Sequence, residues 1–233
     1  MLWLLLSLTF YLSSFGSSLS DFRPAGADCD QEKSYNYYKI CYSNEHRQSL
    51  WTLHTLTVES VNGKIKRINE YKKDYDLEKP VDPNDYRRSG FNRGHLVPAG
   101  DMKLNFTSMI ETFYMSNMSP QNPSFNSGIW RRLENHVRSL VRRHGDAIVI
   151  TAPLIHSSDP KIPSGVTVPH KFFKIVYFKE SALMMSFLIP NVSQNGVSIF
   201  EYQHSVDEIE LATGLDFFSN LNDKLEDKLE SMN

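Results

Sequence analysis

The sequence has 233 residues, of which 40% are hydrophobic and 12% aromatic, with 25 basic and 27 acidic side chains. This composition excludes a collagen-like, low-complexity or wholly disordered chain, and the length suits one domain or at most two small ones. Two cysteines are too few for a disulfide-rich scaffold or a four-cysteine zinc site. Taken alone, the net charge of −2 argues against a protein that binds nucleic acid.

The amino terminus is typical of a secretory signal peptide. Residues 1–20 carry no charged side chain, and their apolar run, residues 2–12, is shorter than the roughly 20 residues that a membrane-spanning helix needs. The small residues Ser18-Leu19-Ser20 then predict cleavage near Ser20–Asp21. Because the amino-terminal region lacks Lys and Arg, an uncleaved anchor is the main alternative. Cleavage predicts a secreted, periplasmic or otherwise extracytoplasmic protein with no stable membrane association.

Export would place Cys29 and Cys41 in an oxidising compartment, where they can form one disulfide. Two unrelated thiols are the alternative. The surrounding segment, residues 21–34, is polar and is predicted to be irregular.

The remaining elements follow from hydrophobic periodicity and from capping and turn residues. Strand patterns alternate, as in WTLHTLTV, whereas the best helix has apolar residues at i, i+3 and i+4 before Gly145. In chain order we predict strands at 37–42 and 50–58, a polar loop at 64–91, a short helix at 108–114 opened by Ser108 and Glu111, a loop at 117–126, a helix at 127–144, strands at 147–151, 172–178 and 183–189, a helix opened by Ser205 and Glu208, and a charged helix at 221–231. Strands and helices mix without regular βαβ alternation, which indicates the α+β class.

The charges are unevenly distributed. Residues 201–233 contain nine acids and two bases, whereas residues 61–143 contain 15 bases and nine acids, a net charge of +6. A basic zone of this size can attract phosphates, although a solvated helix face would account for several of its arginines. The near-zero total therefore does not exclude nucleic acid.

Four residues in this zone have side chains suited to catalysis. His95 lies between glycine and proline residues, off any apolar face, so we expect it to be accessible and to titrate near neutrality. Asn126 opens the long helix, either as a helix N-cap or as an oxygen ligand for Mg²⁺. Glu134 and Arg138 are four residues apart and share a helix face, where an ordinary surface ion pair is the alternative. Together a base, a cation ligand and an arginine would serve phosphodiester cleavage.

Three segments carry a resemblance to a known family. They are NRGHLVPAGD at 92–101, SNMSPQ at 116–121 and NSGIWRRLENHVR at 126–138. In this order and spacing the chain resembles the DNA/RNA non-specific endonucleases over roughly residues 35–220. The resemblance implies a ββα-metal nuclease fold with a central, mostly antiparallel sheet flanked by helices, followed by an acidic tail or helix at 221–233.

The resemblance also implies a role for each matching residue. His95 would be the general base that activates water, and Asn117 would support this histidine and the transition state. Asn126 would be the single direct protein ligand of a hydrated Mg²⁺ ion, for which Mn²⁺ could substitute. Glu134 would orient the waters of the metal ion, and Arg138 would lie near the scissile phosphate.

Two further arginines and one departure complete the comparison. Arg67, in the basic loop, would bind phosphate, and Arg93 would be structural or would contact phosphate. Asn92 stands where many members of the family carry Asp, which weakens any role for a carboxylate there.

We therefore predict a secreted, Mg²⁺-dependent endonuclease that cleaves DNA and RNA with little sequence specificity and leaves 5′-phosphate ends. A 5′-exonuclease or phosphodiesterase is one alternative, and a catalytically silent nucleic-acid-binding protein is another. A zinc hydrolase is disfavoured because His136 and His144 lie in no zinc-binding signature. The oligomeric state stays open, with a homodimer among the options. Glycosylation acceptor patterns occur at Asn105, Asn117 and Asn191, and we expect the one at Asn117 to be unused.

Overall fold

The structure is a computed structural model and describes residues 18–231. Most of the predicted signal peptide, residues 1–17, therefore lies outside the described residues. Ser18 caps a short 3-10 helix at Leu19–Phe22, and Phe22 is buried. No helix in the described range is long and apolar enough to cross a membrane.

Nearly all the strands belong to one antiparallel sheet. Within residues 18–231 they are β1 (Gln31–Ser34), β2 (Tyr38–Ser43), β3 (Gln48–Leu56), β4 (Asn92–His95), β5 (Met118–Gln121), β6 (Ala147–Leu154), β7 (Lys171–Phe178), β8 (Leu183–Pro190) and β9 (Gln203–His204). Seven of them form the sheet in the order β1-β2-β3-β6-β7-β8-β9, and β4 pairs only with β5. This two-stranded hairpin lies between β3 and β6 in the chain but outside their sheet.

Helices connect and cover the strands. They are α1 (Val58–Asn62), α2 (Phe106–Glu111), α3 (Pro123–Phe125), α4 (Arg131–His144), α5 (Val206–Thr213) and α6 (Asp223–Glu230). Short 3-10 helices lie at Pro83–Tyr86, Ala99–Asp101, Met115–Asn117 and Ile199–Tyr202, and a π-helical turn at Asn126–Trp130 joins α3 to α4. The predicted α+β class is confirmed.

The sheet buries a different hydrophobic cluster on each face, because successive side chains of a strand point to opposite sides. One face packs against α4 through Leu133, Val137 and Val141. The other packs against α5 and the carboxyl-terminal segment through Ile209, Phe217 and Leu229. The basic helix α4 and the acidic carboxyl-terminal segment thus cover opposite faces of the sheet.

Several predicted elements are confirmed, with shifted ends. The strand predicted at 50–58 is β3, and it pairs with the predicted partner, which is β2. The helix predicted to open at Ser205 is α5, with the expected reciprocal bonds between Ser205 and Glu208. The left-handed φ of +88° at Gly145 ends α4 as expected.

Three predictions are wrong. The predicted loop at 117–126 contains β5, which pairs with β4, and the short helix α3. Its prolines do not prevent this strand, because β5 has a partner on one side only and proline is tolerated in an edge strand. The predicted irregular segment 21–34 contains β1, which pairs with Lys39–Tyr42. Its sequence QEKS offers no apolar periodicity because it is a half-exposed edge strand. The short helix begins at Phe106, because Asn105 rather than Ser108 is its N-cap and Ser108 supplies the reciprocal bond.

The two cysteines form a disulfide. Cys29 and Cys41 are bonded, with their Cα atoms 5.2 Å apart. The bond joins the segment before β1 to the middle of β2.

Candidate active site

The hairpin of β4 and β5 brings two of the three motif segments together. His95 at the end of β4 stands opposite Met118 in the register. Gly94 has no space for a Cβ atom, because the Gln121 side chain occupies that position. This close approach explains why a glycine precedes the histidine.

Asn117 is completely buried and holds the backbone that follows His95. Its Oδ1 accepts a hydrogen bond from the Val97 N–H at 2.9 Å, and its Nδ2 donates to the carbonyl oxygens of Val97 and Thr112, both at 2.9 Å. The side chain is absent from the lining of the groove described next. The expected support of His95 fits this geometry, and the expected support of the transition state stays a prediction.

A groove of about 570 Å³ lies between the hairpin, the start of α4 and the loop that precedes β4. Its lining includes six of the seven residues that the sequence singles out, namely Arg67, Arg93, His95, Asn126, Glu134 and Arg138. The fold therefore assembles the predicted site from separate parts of the chain, and Asn117 alone lies behind it.

His95 is the most buried of the six that line the groove, with 7% of its surface exposed. Its ring packs edge-on against Phe113 at a centroid distance of 5.0 Å, and its Nε2 has no hydrogen-bond partner among the described residues. Burial lowers the pKa of His95 to about 3, and the positive charge of Arg67 contributes in the same direction. The expectation of an accessible histidine that titrates near neutrality is therefore wrong. The imidazole is neutral at pH 7, which is the form that can accept a proton.

Asn126 is not the helix cap. Asn122 has that role, since its Oδ1 accepts hydrogen bonds from the backbone N–H groups of Ser124 at 2.9 Å and Phe125 at 3.3 Å. Asn126 lies one turn later, at the start of the π-helical turn, and its side chain lines the groove. Asn126 therefore has no role as a helix cap, and its place in the groove is compatible with binding a metal ion.

Glu134 lies on the groove-facing side of α4, as its spacing from Asn126 and Arg138 predicts. Burial raises the pKa of Glu134 to about 7, against the opposing influence of the positive charge of Arg138. The effect of desolvation on the pKa therefore exceeds that of Arg138, so the protein alone does not fully stabilise the ionised carboxylate of Glu134.

Arg138 is held by an acid from the first motif segment. Its Nη1 donates to Asp101 Oδ1 at 2.6 Å, and the other carboxylate oxygen lies 3.4 Å from His54 Nε2. Asp101 is 3% exposed. Gly100 packs against the guanidinium so closely that a Cβ atom would lie 2.8 Å from Arg138 Nη1. In place of the alternative, an ordinary surface ion pair between Arg138 and Glu134, the structure has a buried pair of Arg138 with Asp101.

Lys174 on β7 lies beneath this ion pair and is 1% exposed. Its ammonium donates to the Thr151 hydroxyl and lies 5.2 Å from the centroid of the Trp130 ring. Burial lowers the pKa of Lys174 to about 8, while the negative charges of Asp101 and Glu134 oppose that shift. Two cations and two acids thus lie close together: Arg138 and Glu134 line the groove, while Lys174 and Asp101 are buried beneath it.

The rim of the groove is strongly basic. The guanidinium carbon of Arg67 lies 5.1 Å from the Phe113 ring centroid, and that of Arg93 lies 4.5 Å from the Tyr71 ring centroid. Arg131 and Arg138 also line the groove, whose one carboxylate is Glu134. This excess of positive charge favours an anionic ligand, and planar guanidinium groups match phosphate oxygens well.

Sequence reasoning missed Asp101, His54, Lys174 and Arg131. Asp101 stands inside the recognised segment 92–101, but its partner is 37 residues away, and no local pattern connects the two. Lys174 did offer a signal, because a lysine amid the apolar run of β7 must find partners inside the fold.

The donors present in the groove suit a hard divalent cation. An amide oxygen and a carboxylate are the ligand types that Mg²⁺ and Mn²⁺ prefer, and Asn126 and Glu134 supply one of each. The raised pKa of Glu134 adds to the argument, since a cation would stabilise its ionised form. The residues therefore fit such an ion.

The chain is similar to several known nucleases. The chain is 32% identical over 204 residues to nuclease C1 of Cunninghamella echinulata var. echinulata, covering 79% of this chain and 81% of that one. It is 31% identical to mitochondrial endonuclease G of Bos taurus, covering 82% and 70%, and 29% identical to human mitochondrial nuclease EXOG, of which it spans 58%.

A solved structure and a family profile complete the comparison. The crystal structure of the EndoG/EndoGI complex, reported for the mechanism of EndoG inhibition, contains a chain that matches with a TM-score of 0.77 and 30% identity, over 83% of this chain and 88% of that one. The profile of the DNA/RNA non-specific endonucleases matches residues 17–224. The chain belongs to the DNA/RNA non-specific endonuclease family, whose members are metal-dependent nucleases.

Proposed function

We propose that this protein is an exported, Mg²⁺-dependent endonuclease that hydrolyses the phosphodiester bonds of DNA and RNA with little sequence specificity. The observation that supports the proposal most strongly is the single groove shared by His95, Asn126, Glu134 and Arg138. Phosphodiester hydrolysis requires a base, a cation and groups that hold phosphate, and this groove offers all three. In this proposal, residues 35–220 hold the nuclease domain.

His95 acts as the general base. The neutral imidazole accepts a proton from the attacking water while the water oxygen bonds to phosphorus and the bond from phosphorus to the 3′-oxygen breaks. The leaving 3′-oxygen takes a proton from solvent water, so the products are a 3′-hydroxyl and a 5′-phosphate. Asn117 fixes the backbone after the histidine, so the ring keeps its direction during the reaction.

Asn126 would be the direct ligand of the divalent ion, and Glu134 would hold waters of its hydration shell. When bound, Mg²⁺ or Mn²⁺ supplies positive charge that offsets the charge developing on the phosphate and the leaving oxygen. Glu134 must be ionised for its role, and the nearby Arg138 favours that state.

The arginines bind the phosphate group. Arg138, held by Asp101, and the rim residues Arg67 and Arg93 neutralise non-bridging oxygens. Contacts to phosphate carry no information about the base, so this arrangement favours weak sequence preference on both DNA and RNA.

The test is incubation of purified protein with supercoiled plasmid and with RNA, in Mg²⁺ and in EDTA. We expect cleavage of both substrates in Mg²⁺ only, and a loss of at least about 100-fold in His95→Ala, in line with general-base catalysis. Asn126→Ala should lose most of the activity. His136→Ala is the matched control, because His136 lies on α4 outside the groove lining. Full activity of His95→Ala, or no Mg²⁺-dependent cleavage by the unaltered protein, would contradict the proposal.

The plasmid also separates the alternatives. An exonuclease or a phosphodiesterase restricted to ends cannot open a circle, although it degrades a linear substrate. A catalytically silent nucleic-acid-binding protein would slow the migration of the plasmid in a gel but leave the DNA intact. Nicked and then linear plasmid is the expected result.

Export rests on a separate observation, the disulfide between Cys29 and Cys41. Disulfides persist in oxidising compartments and are rare in the cytosol. We expect protein expressed from the full chain to reach the medium or the secretory pathway with Asp21 as its first residue, as read by amino-terminal sequencing. Recovery in an organelle fraction with residues 1–20 intact would contradict export.

A further inference from the structure

A second groove, of about 480 Å³, adjoins the first. Tyr71 lines both, so the two grooves are neighbours that share this side chain. The lining of the second groove combines aromatic rings with cations, namely Tyr71, Tyr75 and Tyr114 with Lys72 and Lys73. None of these residues has a part in the chemistry proposed above.

Tyr75 is unusually exposed for a large aromatic residue, at 81% of its surface. Lys73 Nζ lies 5.7 Å from its ring centroid, and Lys72 is exposed beside it. An aromatic ring in solvent, flanked by lysines, suits a ligand that combines a planar base with phosphate charge.

The segment that carries these side chains is anchored rather than loose. The Lys72 N–H donates to the Phe113 carbonyl at 2.9 Å, and the Lys72 carbonyl accepts from the Met115 N–H at 2.8 Å. Asp74 points inward, where it is 2% exposed, pairs with Lys33 and accepts from the Ser116 hydroxyl at 2.9 Å. The acid of the Lys-Lys-Asp-Tyr run is thereby neutralised, while the lysines and the tyrosine face outward.

One acid does line the second groove. Asp82 caps the 3-10 helix at Pro83–Tyr86, and its Oδ1 accepts from the backbone N–H of Asn84 at 2.9 Å and from the Asn84 side chain at 3.0 Å. This capping role occupies one of its oxygens. Against it stand two lysines, so the charged side chains of the lining still favour an anion.

We propose that Tyr75, with Lys72 and Lys73, forms a stacking subsite for an unpaired nucleobase of the strand whose phosphate lies in the active-site groove. The identity of that strand rests on the proposed function. Base stacking on an aromatic ring tolerates any base, and the lysines would contact the adjoining phosphates, so the subsite is compatible with weak sequence preference. Bases in a duplex are already stacked on one another, so the subsite strengthens the binding of single-stranded DNA or RNA over duplex.

The experiment measures binding in EDTA, where a metal-dependent nuclease cannot cleave. A fluorescent twelve-residue oligothymidylate and a duplex of the same length are titrated with the unaltered protein, Tyr75→Ser and Tyr75→Trp, and anisotropy is recorded. Loss of one stacked base predicts that Tyr75→Ser weakens single-strand binding by about fivefold or more, with a much smaller effect on the duplex. Tyr75→Trp should retain single-strand binding, because stacking needs only the ring.

The lysines are tested through salt dependence. Lys72→Ser combined with Lys73→Ser should lower the slope of log affinity against log salt for the single strand by about 0.7 for each phosphate that the two lysines neutralise. Phe106→Ser is the matched control, because Phe106 is 62% exposed yet lines neither groove. It should leave the affinity and the slope unchanged.

Three results would overturn the subsite: unchanged single-strand binding in Tyr75→Ser, an equal loss for single strand and duplex, or no binding of the oligothymidylate by the unaltered protein. These outcomes are independent of the plasmid assay. If the plasmid stays intact while Tyr75→Ser selectively loses single-strand affinity, the nuclease proposal fails and the stacking subsite stands.

Discussion

The Arg138 guanidinium donates to the buried Asp101 carboxylate at 2.6 Å, across 37 residues of sequence. This bond ties α4 to the segment 92–101, which carries His95, and so holds the arginine proposed to bind phosphate against that segment. Gly100 makes the approach possible, since a side chain there would collide with the guanidinium.

Asp101→Asn should therefore weaken the positioning of the Arg138 guanidinium. The neutral amide removes the charge from the bond, which is worth about 1.5–3 kcal/mol when one partner is charged, so we expect kcat/KM on plasmid to fall roughly 10- to 100-fold. In an Arg138→Ala background the same change should have little further effect, because both act through one interaction. Additive losses would contradict the positioning role and point to a general effect on folding, which the Tm of each variant reports.

The disulfide should contribute to stability rather than to catalysis. Cys29 and Cys41 are 12 residues apart, and closing a loop of about 15 residues is worth roughly 3 kcal/mol in the chain-entropy account. Cys41 packs in the cluster on the face of the sheet opposite α4. Replacing both cysteines by serine should lower the denaturant midpoint while plasmid cleavage at 25 °C is retained. A loss of cleavage without a loss of stability would show that the bond acts on the site.

The free energy of unfolding should fall as pH rises, because of the side-chain carboxyl group of Glu230 in α6. Carboxylate oxygens of Asp207, Glu210 and Glu230 lie within 4.8 Å of one another. Burial, followed by the negative charge of Glu210, raises the pKa of Glu230 to about 8 from 4.5. The folded state therefore binds this proton more tightly than the unfolded state, so the contribution is complete below pH 4.5 and is lost as pH rises through about 8.

Glu230→Gln removes the group that titrates. The Tm of the variant should exceed that of the unaltered protein by an amount that grows between pH 5 and pH 9. A difference that stays constant over this range would show that the substitution acts by packing instead. Glu201→Gln, at an exposed acid outside the cluster, is the control.

Two of the three glycosylation patterns should remain unmodified. The Asn117 side chain is inaccessible, with its Nδ2 donating to two carbonyl oxygens. Asn191 is 6% exposed, and its Nδ2 likewise donates to the carbonyls of Pro120 and Pro169. Mass spectrometry of protein made in a eukaryotic secretory host should find any glycan at Asn105 alone. A glycan at Asn117 would be incompatible with this fold.

Local sequence signals predicted most of the framework. Alternating strands, the Ser205–Glu208 cap and the Gly145 stop depend on residues within a few positions, and each appears in the structure. The signals were ambiguous where two caps competed, as Asn105 and Ser108 did before α2, because each satisfies the other across three residues.

The residues of the site were predictable as members of a motif, but their environment was not. The low pKa of His95 depends on burial against Phe113 and on Arg67, which come from distant segments. The sequence allows Asn126 to be a helix cap, whereas in the fold Asn122 caps the preceding helix and Asn126 opens the π-helical turn. Both properties arise from tertiary packing, which periodicity does not encode.

The placement of basic α4 and the acidic carboxyl-terminal segment on opposite faces of the sheet gives the molecule a charge asymmetry that a near-neutral total conceals. Such a molecule rotates in the field of a polyanion as it diffuses, so encounters are biased toward collision with the groove first. The rear of the protein is repelled, which discourages unproductive adsorption along the same polymer. In the proposed function, the acidic segment would therefore act on the rate of encounter with the substrate.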